Sequence, residues 1–145
     1  MTTQTQTLTP RFAVPSFSTV ARHGARVLLG AIMAFASISY FFNLVPAPTE
    51  PMAPAVEAFT GGLMAAGYMF PLIKGTELVA ALLLLANRFV ALALVLLAPV
   101  VVNIVAFHAV HAREGLAMSL VVAALNMGLA IAHRAAYRSM LEVRS

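Results

Sequence analysis

Long uncharged apolar segments constrain the fold of this sequence more than any other feature. No residue from 27 to 49 is charged, and residues 89–112 contain no Asp, Glu, Lys or Arg. A helix needs about 20 apolar residues to cross the hydrocarbon core of a bilayer. Only 10% of the 145 residues are charged, against about 25% in an ordinary soluble domain. The sequence therefore predicts an all-α integral membrane protein.

Proline, glycine and charged residues divide the apolar sequence into four predicted transmembrane helices. Prolines 46, 48, 51 and 54 end the first segment, because proline removes a helix donor and clashes with the preceding turn. Two tight turns, at residues 87–88 and 113–115, separate the later ones. The predicted spans are residues 27–45, 71–86, 89–112 and 116–132. Pro99 should kink the third span.

The segment between the first two spans is too interrupted to cross a membrane. Residues 55–67 have apolar residues at helical spacing but also contain Glu57, Gly61 and Gly62. This pattern favours a short amphipathic helix lying in the outer membrane interface. We expect the two glycines to break or bend it. The predicted fold is a four-transmembrane-helix bundle with a short interfacial helix between the first and second spans.

The distribution of Lys and Arg predicts the orientation. Only Lys74 and Arg113 lie at one end of the predicted spans, and the remaining basic residues lie at the other: Arg11, Arg22, Arg26, Arg88, Arg134, Arg138 and Arg144. By the positive-inside rule, both termini should be cytoplasmic. The predicted organisation is a flexible cytoplasmic tail at 1–21, a membrane domain at 22–138 and a cytoplasmic C-terminal tail at 139–145.

Two ionisable residues, Lys74 and Glu77, stand at the start of the second span. Residues three apart share a helix face, so their side chains can pair. An ionisable group inside a membrane marks a functional site or an internal ion pair. The sequence leaves both interpretations open: a structural pair, or proton transfer by Glu77 with Lys74 as its partner.

Other polar residues should reach the depth of this pair. At about 1.5 Å per helical residue, Glu77, Lys74 and Asn103 lie roughly 16, 20 and 23 Å from the turn between the second and third spans. Tyr40 and Asn43 share a face near the outer end of the first span. If the helix faces agree, these groups form an outward-leaning polar pocket that binds a ligand.

The fourth span carries two stripes of residues. One is polar and the other consists of small residues, which allow close helix packing; the members are Ser119, Asn126 and His133, then Ala124, Gly128 and Ala132. Packing within the bundle explains both stripes. Asn126 is also a candidate ligand-binding residue.

His108 and His111 are three residues apart and could both reach a metal, but no third ligand is evident, so no metal site is predicted. His108 lies about 140° around the helix from Asn103. Both side chains should therefore not point straight into one narrow cleft. The chain has no cysteine, which excludes disulfides and thiolate ligands. Its net charge of +4 comes without a basic run, so nucleic acid is not an expected partner.

Three segments, taken together, resemble the DoxX family of small four-helix membrane proteins: Leu72-Ile-Lys74-Gly-Thr-Glu77-Leu, Asn87-Arg88-Phe89-Val and Ala98-Pro99-Val-Val-Val-Asn103-Ile-Val-Ala-Phe-His108. The resemblance covers residues 26 to 138. It implies a bacterial inner-membrane location. The family takes its name from a subunit of a thiosulfate:quinone oxidoreductase, and other members are linked to thiol redox complexes. Glu77, Asn103 and His108 match polar positions of the family pattern.

These observations lead to one functional hypothesis and one alternative. The hypothesis is a membrane subunit of a quinone- or thiol-linked redox system, with Glu77 and Lys74 transferring protons and quinone as candidate cofactor. The candidate ligand-binding residues are Tyr40, Asn43, Asn103, His108 and Asn126. Without a flavin, haem or iron–sulfur motif, the active site would not be complete in this chain. Expected partners are the lipid bilayer, a soluble or membrane redox protein and a second copy of the chain. The alternative is a non-enzymatic assembly or partner-stabilising protein, or a small-solute permease.

Overall fold

The computed structural model describes residues 17–46 and 51–141, which form helices joined by short turns and contain no strand. The helices are α1 (Phe17–Phe41), α2 (Pro54–Ala65), α3 (Met69–Leu85), α4 (Val90–Val110), α5 (Leu116–Ala132) and α6 (Arg134–Leu141), with a single 3-10 turn at Arg113–Gly115. The predicted all-α class is confirmed. The bounds of α5 coincide with those of the fourth predicted span.

Parts of both predicted tails lie outside the described residues. Residues 1–16 and 142–145 belong to these parts, and so do residues 47–50 of the proline-rich connection. Helix α1 begins at Phe17, within the segment predicted as the N-terminal tail. Helix α6 extends to Leu141, within the predicted C-terminal tail.

Several helices are long and apolar enough to cross a bilayer. By length and composition these are Ser18–Phe41, Val90–Val110 and Arg113–Ala132. Helices α2 and α3 meet at 87° and would provide a fourth crossing if the bent pair counts as one span. Large apolar side chains such as Phe35 and Val102 are exposed. The apolar helices therefore indicate a multi-pass membrane protein.

The helices pack around a shared apolar core. Helix α1 packs against α3 and α5, while α4 packs against α3 and α5. Alanines 80 and 81 of α3 are fully buried, and such small residues let neighbouring backbones approach closely. The buried apolar side chains around them include Leu29, Met33, Leu84, Leu94, Leu97, Val122 and Leu129.

Two polar side chains join helices within this packing. The buried guanidinium of Arg26 in α1 donates to the carbonyl oxygens of Leu84 and Leu85, in the last turn of α3. Carbonyls at a helix C-terminus lack partners within the helix, so the arginine satisfies them. Asn126 of α5 donates through Nδ2 to the carbonyl oxygen of Leu94 in α4, at 3.4 Å. The first contact also shows that α1 and α3 run antiparallel.

Helix α1 ends four residues before the predicted end of the first span. The last helical residue is Phe41, and Asn43 adopts a left-handed conformation with φ 53°. The amide of Leu44 donates to the carbonyl oxygen of Ser39 at 3.0 Å. This bond, with the left-handed residue, forms a Schellman cap that stops the helix. Residues 42–45 are therefore apolar without being helical.

The glycine pair does not interrupt α2. The helix continues through Gly61 and Gly62, so the expected break there is wrong. The chain turns instead near Gly67, whose φ of 73° suits a residue without a side chain. Helix α4 likewise continues through Pro99 as one helix; the kink stays a prediction.

The two stripes of α5 have different environments. Ser119 and Asn126 are buried, as expected for a face that packs inside the protein. Ala124 and Ala132 are exposed, and a Cβ atom added to Gly128 would meet no atom within 4 Å. Packing of the small residues against another helix of the described chain is therefore a wrong prediction.

Candidate functional site

A cavity of about 400 Å³ lies between α2, α3 and α4. Apolar side chains form most of its wall: Phe59, Leu63, Met69, Phe70, Ile73, Pro99, Val100, Ile104 and Phe107. The polar residues of the wall are Thr60, Lys74, Glu77, Asn103 and His108. A mostly apolar cavity of a few hundred Å³ with a few polar groups is typical of small-molecule sites.

The ion pair predicted at the start of the second span is present. Lys74 Nζ lies 2.8 Å from Oε2 of Glu77. The Ser37 hydroxyl of α1 donates to the same oxygen at 3.3 Å, and also to its own helix at the carbonyl of Met33, at 2.8 Å. The Glu77 side chain is 1% exposed and that of Lys74 is 20% exposed. The carboxylate therefore sits at the dry end of the pair and the ammonium at the wetter end.

The two oxygens of Glu77 have different surroundings. Both hydrogen bonds described above end on Oε2, and Oε1 has no hydrogen-bond partner among the described residues. Among those residues, the only fully enclosed side-chain oxygen or nitrogen without a partner is Oγ of Ser39. Oε1 therefore retains access to a small molecule, and Glu77 belongs to the cavity wall.

Asn103 and His108 extend the polar wall along α4. Nδ1 of His108 lies 2.9 Å from the carbonyl oxygen of Ala112. A carbonyl only accepts, so Nδ1 carries the hydrogen, and Nε2 of the neutral ring is an acceptor. The Asn103 amide makes no hydrogen bond within the part of the chain that the structure describes.

The cavity accommodates Asn103 and His108 together. The expectation that they could not share a narrow cleft does not hold, because both side chains line the same space. With α3 and α4 antiparallel, Glu77 and His108 differ in height by about 15 Å at 1.5 Å per residue. The cavity is long and not narrow, so side chains at different angles reach different parts of it.

Aromatic rings connect α2 to α4 beside the cavity. The Phe59 ring lies 5.0 Å from the Phe107 ring and 5.8 Å from the His111 ring, measured between centroids. His111 is therefore part of an aromatic cluster. Within the described ranges, no group of three or more His, Asp or Glu side chains could hold a metal ion.

Three predicted ligand-binding residues lie away from the cavity wall. Tyr40 is stacked on the outside of Phe70, with ring centroids 5.7 Å apart. Asn43 is exposed beyond the end of α1, where its backbone caps the helix. Asn126 is buried against α4 through its hydrogen bond to Leu94.

Sequence reasoning missed Ser37, although a signal for it was present. Arg26, Gly30, Met33, Ser37 and Tyr40 follow one another at spacings of four, three, four and three residues. That spacing places them on one helix face. Arg26, Met33 and Ser37 are all buried along it. The face that turns toward α3 could therefore have been identified from the spacing alone.

Comparison with known proteins gives no match: no family model fits the chain, and no curated protein or solved structure is significantly similar to it. The resemblance to the DoxX family stays a prediction from the residues.

Proposed function

We propose that α1, α3, α4 and α5 form a four-helix bundle in a bacterial inner membrane, with α2 in the outer interface and both termini cytoplasmic. The asymmetry of Lys and Arg supports this orientation. The chain has no cysteine, so single cysteines can be introduced cleanly. Met52→Cys should react with an impermeant thiol reagent in whole cells, and Arg138→Cys should react only after lysis. The reverse pattern would refute the orientation.

Within this bundle, the protein binds a small amphipathic molecule as a membrane subunit of a quinone- or thiol-linked redox system. The observation that carries this proposal is the cavity between α2, α3 and α4, with an ion pair in an apolar and aromatic wall. Ionisable groups inside a membrane protein are costly unless they pair or serve a function. Here the pair also lines a space large enough for a ligand.

The chemistry of the wall fits a quinone. Phe59, Phe70 and Phe107 offer apolar ring surface, while Lys74 and Asn103 offer N–H groups for carbonyl oxygens. A bound quinone would supply two-electron chemistry coupled to two protons. The residues of this chain would hold its oxygens, exclude water and move a proton at Oε1 of Glu77. His108, nearer the end of α4, would pass that proton outward.

The packing below the ion pair argues against the permease alternative. Toward the end of α3 the space between helices is filled by apolar residues, including Leu29, Met33, Ala81, Leu84 and Leu97. The polar series of the cavity therefore ends at Glu77. A dead-ended cavity suits a bound molecule better than a solute in transit.

Binding of a benzoquinone with a decyl tail tests the proposal directly. The protein in lipid nanodiscs should bind it, and Asn103→Leu should weaken binding because it removes a donor from the wall. Thr76→Val is a matched control, since that hydroxyl donates to Leu72 of its own helix, at 2.8 Å. Absence of saturable binding, together with stabilisation of a co-purified partner protein, would favour the assembly role instead.

A further inference from the structure

Oε1 of Glu77 is the deepest polar atom of the cavity that lacks a partner in the described chain. Oε2 accepts hydrogen bonds from Lys74 at 2.8 Å and Ser37 at 3.3 Å. Oε1 accepts none, and the Glu77 side chain is only 1% exposed. Whatever contact with water this oxygen has must come through the cavity. A molecule that fills the cavity would remove that water.

We infer that the cavity selects an amphiphile whose head group carries a hydroxyl that donates to Oε1 of Glu77, such as a phenol or a hydroquinone. A carboxylate oxygen only accepts, so its partner must donate. Lys74 has N–H groups beyond the one directed at Oε2, and they can donate to the lone pairs of the same hydroxyl. One hydroxyl therefore satisfies both members of the ion pair.

A head group without a donor would satisfy only one of them. A carbonyl or ether oxygen can accept from Lys74, but it leaves Oε1 of Glu77 sealed from water and unpaired. An unpaired buried acceptor costs enough to reduce affinity by about 10- to 100-fold. The site would thus discriminate between ligands of the same shape that differ in a single hydrogen.

The remainder of the cavity accommodates an apolar tail. From the height of Glu77 toward that of His108, the wall is formed largely by apolar side chains, including Val100, Ile104 and Phe107. This part extends over about 15 Å along α4. The polar head would lie at the Glu77 end, and the hydrocarbon chain would follow these side chains.

This inference rests on the proposed ligand-binding function, and a matched pair of probes separates the two. The probes are 4-octylphenol and its methyl ether, which share one skeleton but differ in the donor. Each is titrated calorimetrically into the protein in lipid nanodiscs, with empty nanodiscs as the background. We expect the phenol to bind at least tenfold more tightly. Equal saturable affinities would overturn the inference and leave the binding function intact, while binding of neither probe would overturn both.

The variant Glu77→Gln provides a second readout. Its amide oxygen can keep the contacts with Lys74 and Ser37, and its NH₂ group would replace the free oxygen. The preference for the phenol should then disappear, because the amide donates to the ether oxygen. The control Thr76→Val should keep the wild-type preference. An unchanged preference in folded Glu77→Gln would exclude Oε1 as the selecting atom.

Discussion

Removing the members of the Lys74–Glu77 pair one at a time tests whether the pair is as asymmetric as its exposure suggests. In Lys74→Met, the carboxylate remains in a site that is 1% exposed, with the Ser37 hydroxyl at 3.3 Å as its remaining partner. In Glu77→Met, the ammonium remains at a position that is 20% exposed. An unpaired charge costs more where less water reaches it, so Lys74→Met should be the more damaging change.

The expected magnitudes follow from the same exposures. Leaving one charge of a buried pair without its partner typically costs about 3–5 kcal/mol of unfolding free energy, and Lys74→Met should fall in this range. The partly hydrated ammonium left by Glu77→Met should cost about 1–2 kcal/mol. Replacing both residues by methionine should cost less than either single change, because apolar replacement of a buried pair is often neutral or stabilising.

Reversible unfolding in mixed detergent micelles, followed by circular dichroism, measures these free energies. The helical signal is the appropriate probe because the chain has no tryptophan. Thr76→Val, one residue from Glu77, controls for changes in the surface of α3. The reasoning would be refuted if Glu77→Met cost as much as Lys74→Met, or if the two costs simply added in the double variant.

Further predictions concern the glycines and the last helix. Gly30→Ala should lose about 1–2 kcal/mol, because its Cβ would lie 3.0 Å from a leucine side chain of α3 and overpacking exceeds the gain in helix propensity. Gly128→Ala, with no atom within 4 Å, should gain up to about 1 kcal/mol in the same unfolding assay. Gly115→Ala should displace the His108 ring, which its Cβ would overlap, and the shift should be visible in the NMR signals of that ring. Burial raises the pKa of Tyr137 above 10.0, so the folded state holds the proton more tightly and stability should fall as pH rises past about 10. Tyr137→Phe should remove that fall in thermal midpoints measured from pH 8 to 11.

The sequence predicts helices well where the ends of apolar segments coincide with turn-forming residues. Both ends of α5 match the prediction, because the Arg113–Gly115 turn precedes the helix and His133 follows it. The end of α1 does not match. Hydropathy measures the cost of leaving lipid, and residues 42–45 remain apolar after the cap at Asn43 has ended the backbone hydrogen bonding. The failed break at Gly61 and Gly62 has a related cause, since glycine permits a turn but does not require one.

The candidate site was predictable in depth more than in direction. Counting residues along α3 and α4 placed Lys74, Glu77 and Asn103 at similar heights, and all line the cavity together with His108. Rotation about a helix axis depends on packing that the count does not contain. Asn126 had a suitable position on its helix, yet it faces a backbone carbonyl of α4. Only the buried spacing along α1 could have indicated the direction of Ser37.

The walls of the cavity differ in how strongly they are held, which bears on how a ligand enters it. Helices α1 and α3 are joined at two levels, by the Ser37–Glu77 hydrogen bond and by Arg26 with the last carbonyls of α3. Helix α2 contains no buried residue and contacts α4 beside the cavity through the stacked ring of Phe59. Separating α1 from α3 would break buried polar contacts, whereas moving α2 about the turn at Gly67 would mainly separate apolar surfaces that lipid can cover again. Opening therefore costs least on the α2 side, which leaves the ion pair and its free carboxylate oxygen in place while a ligand enters.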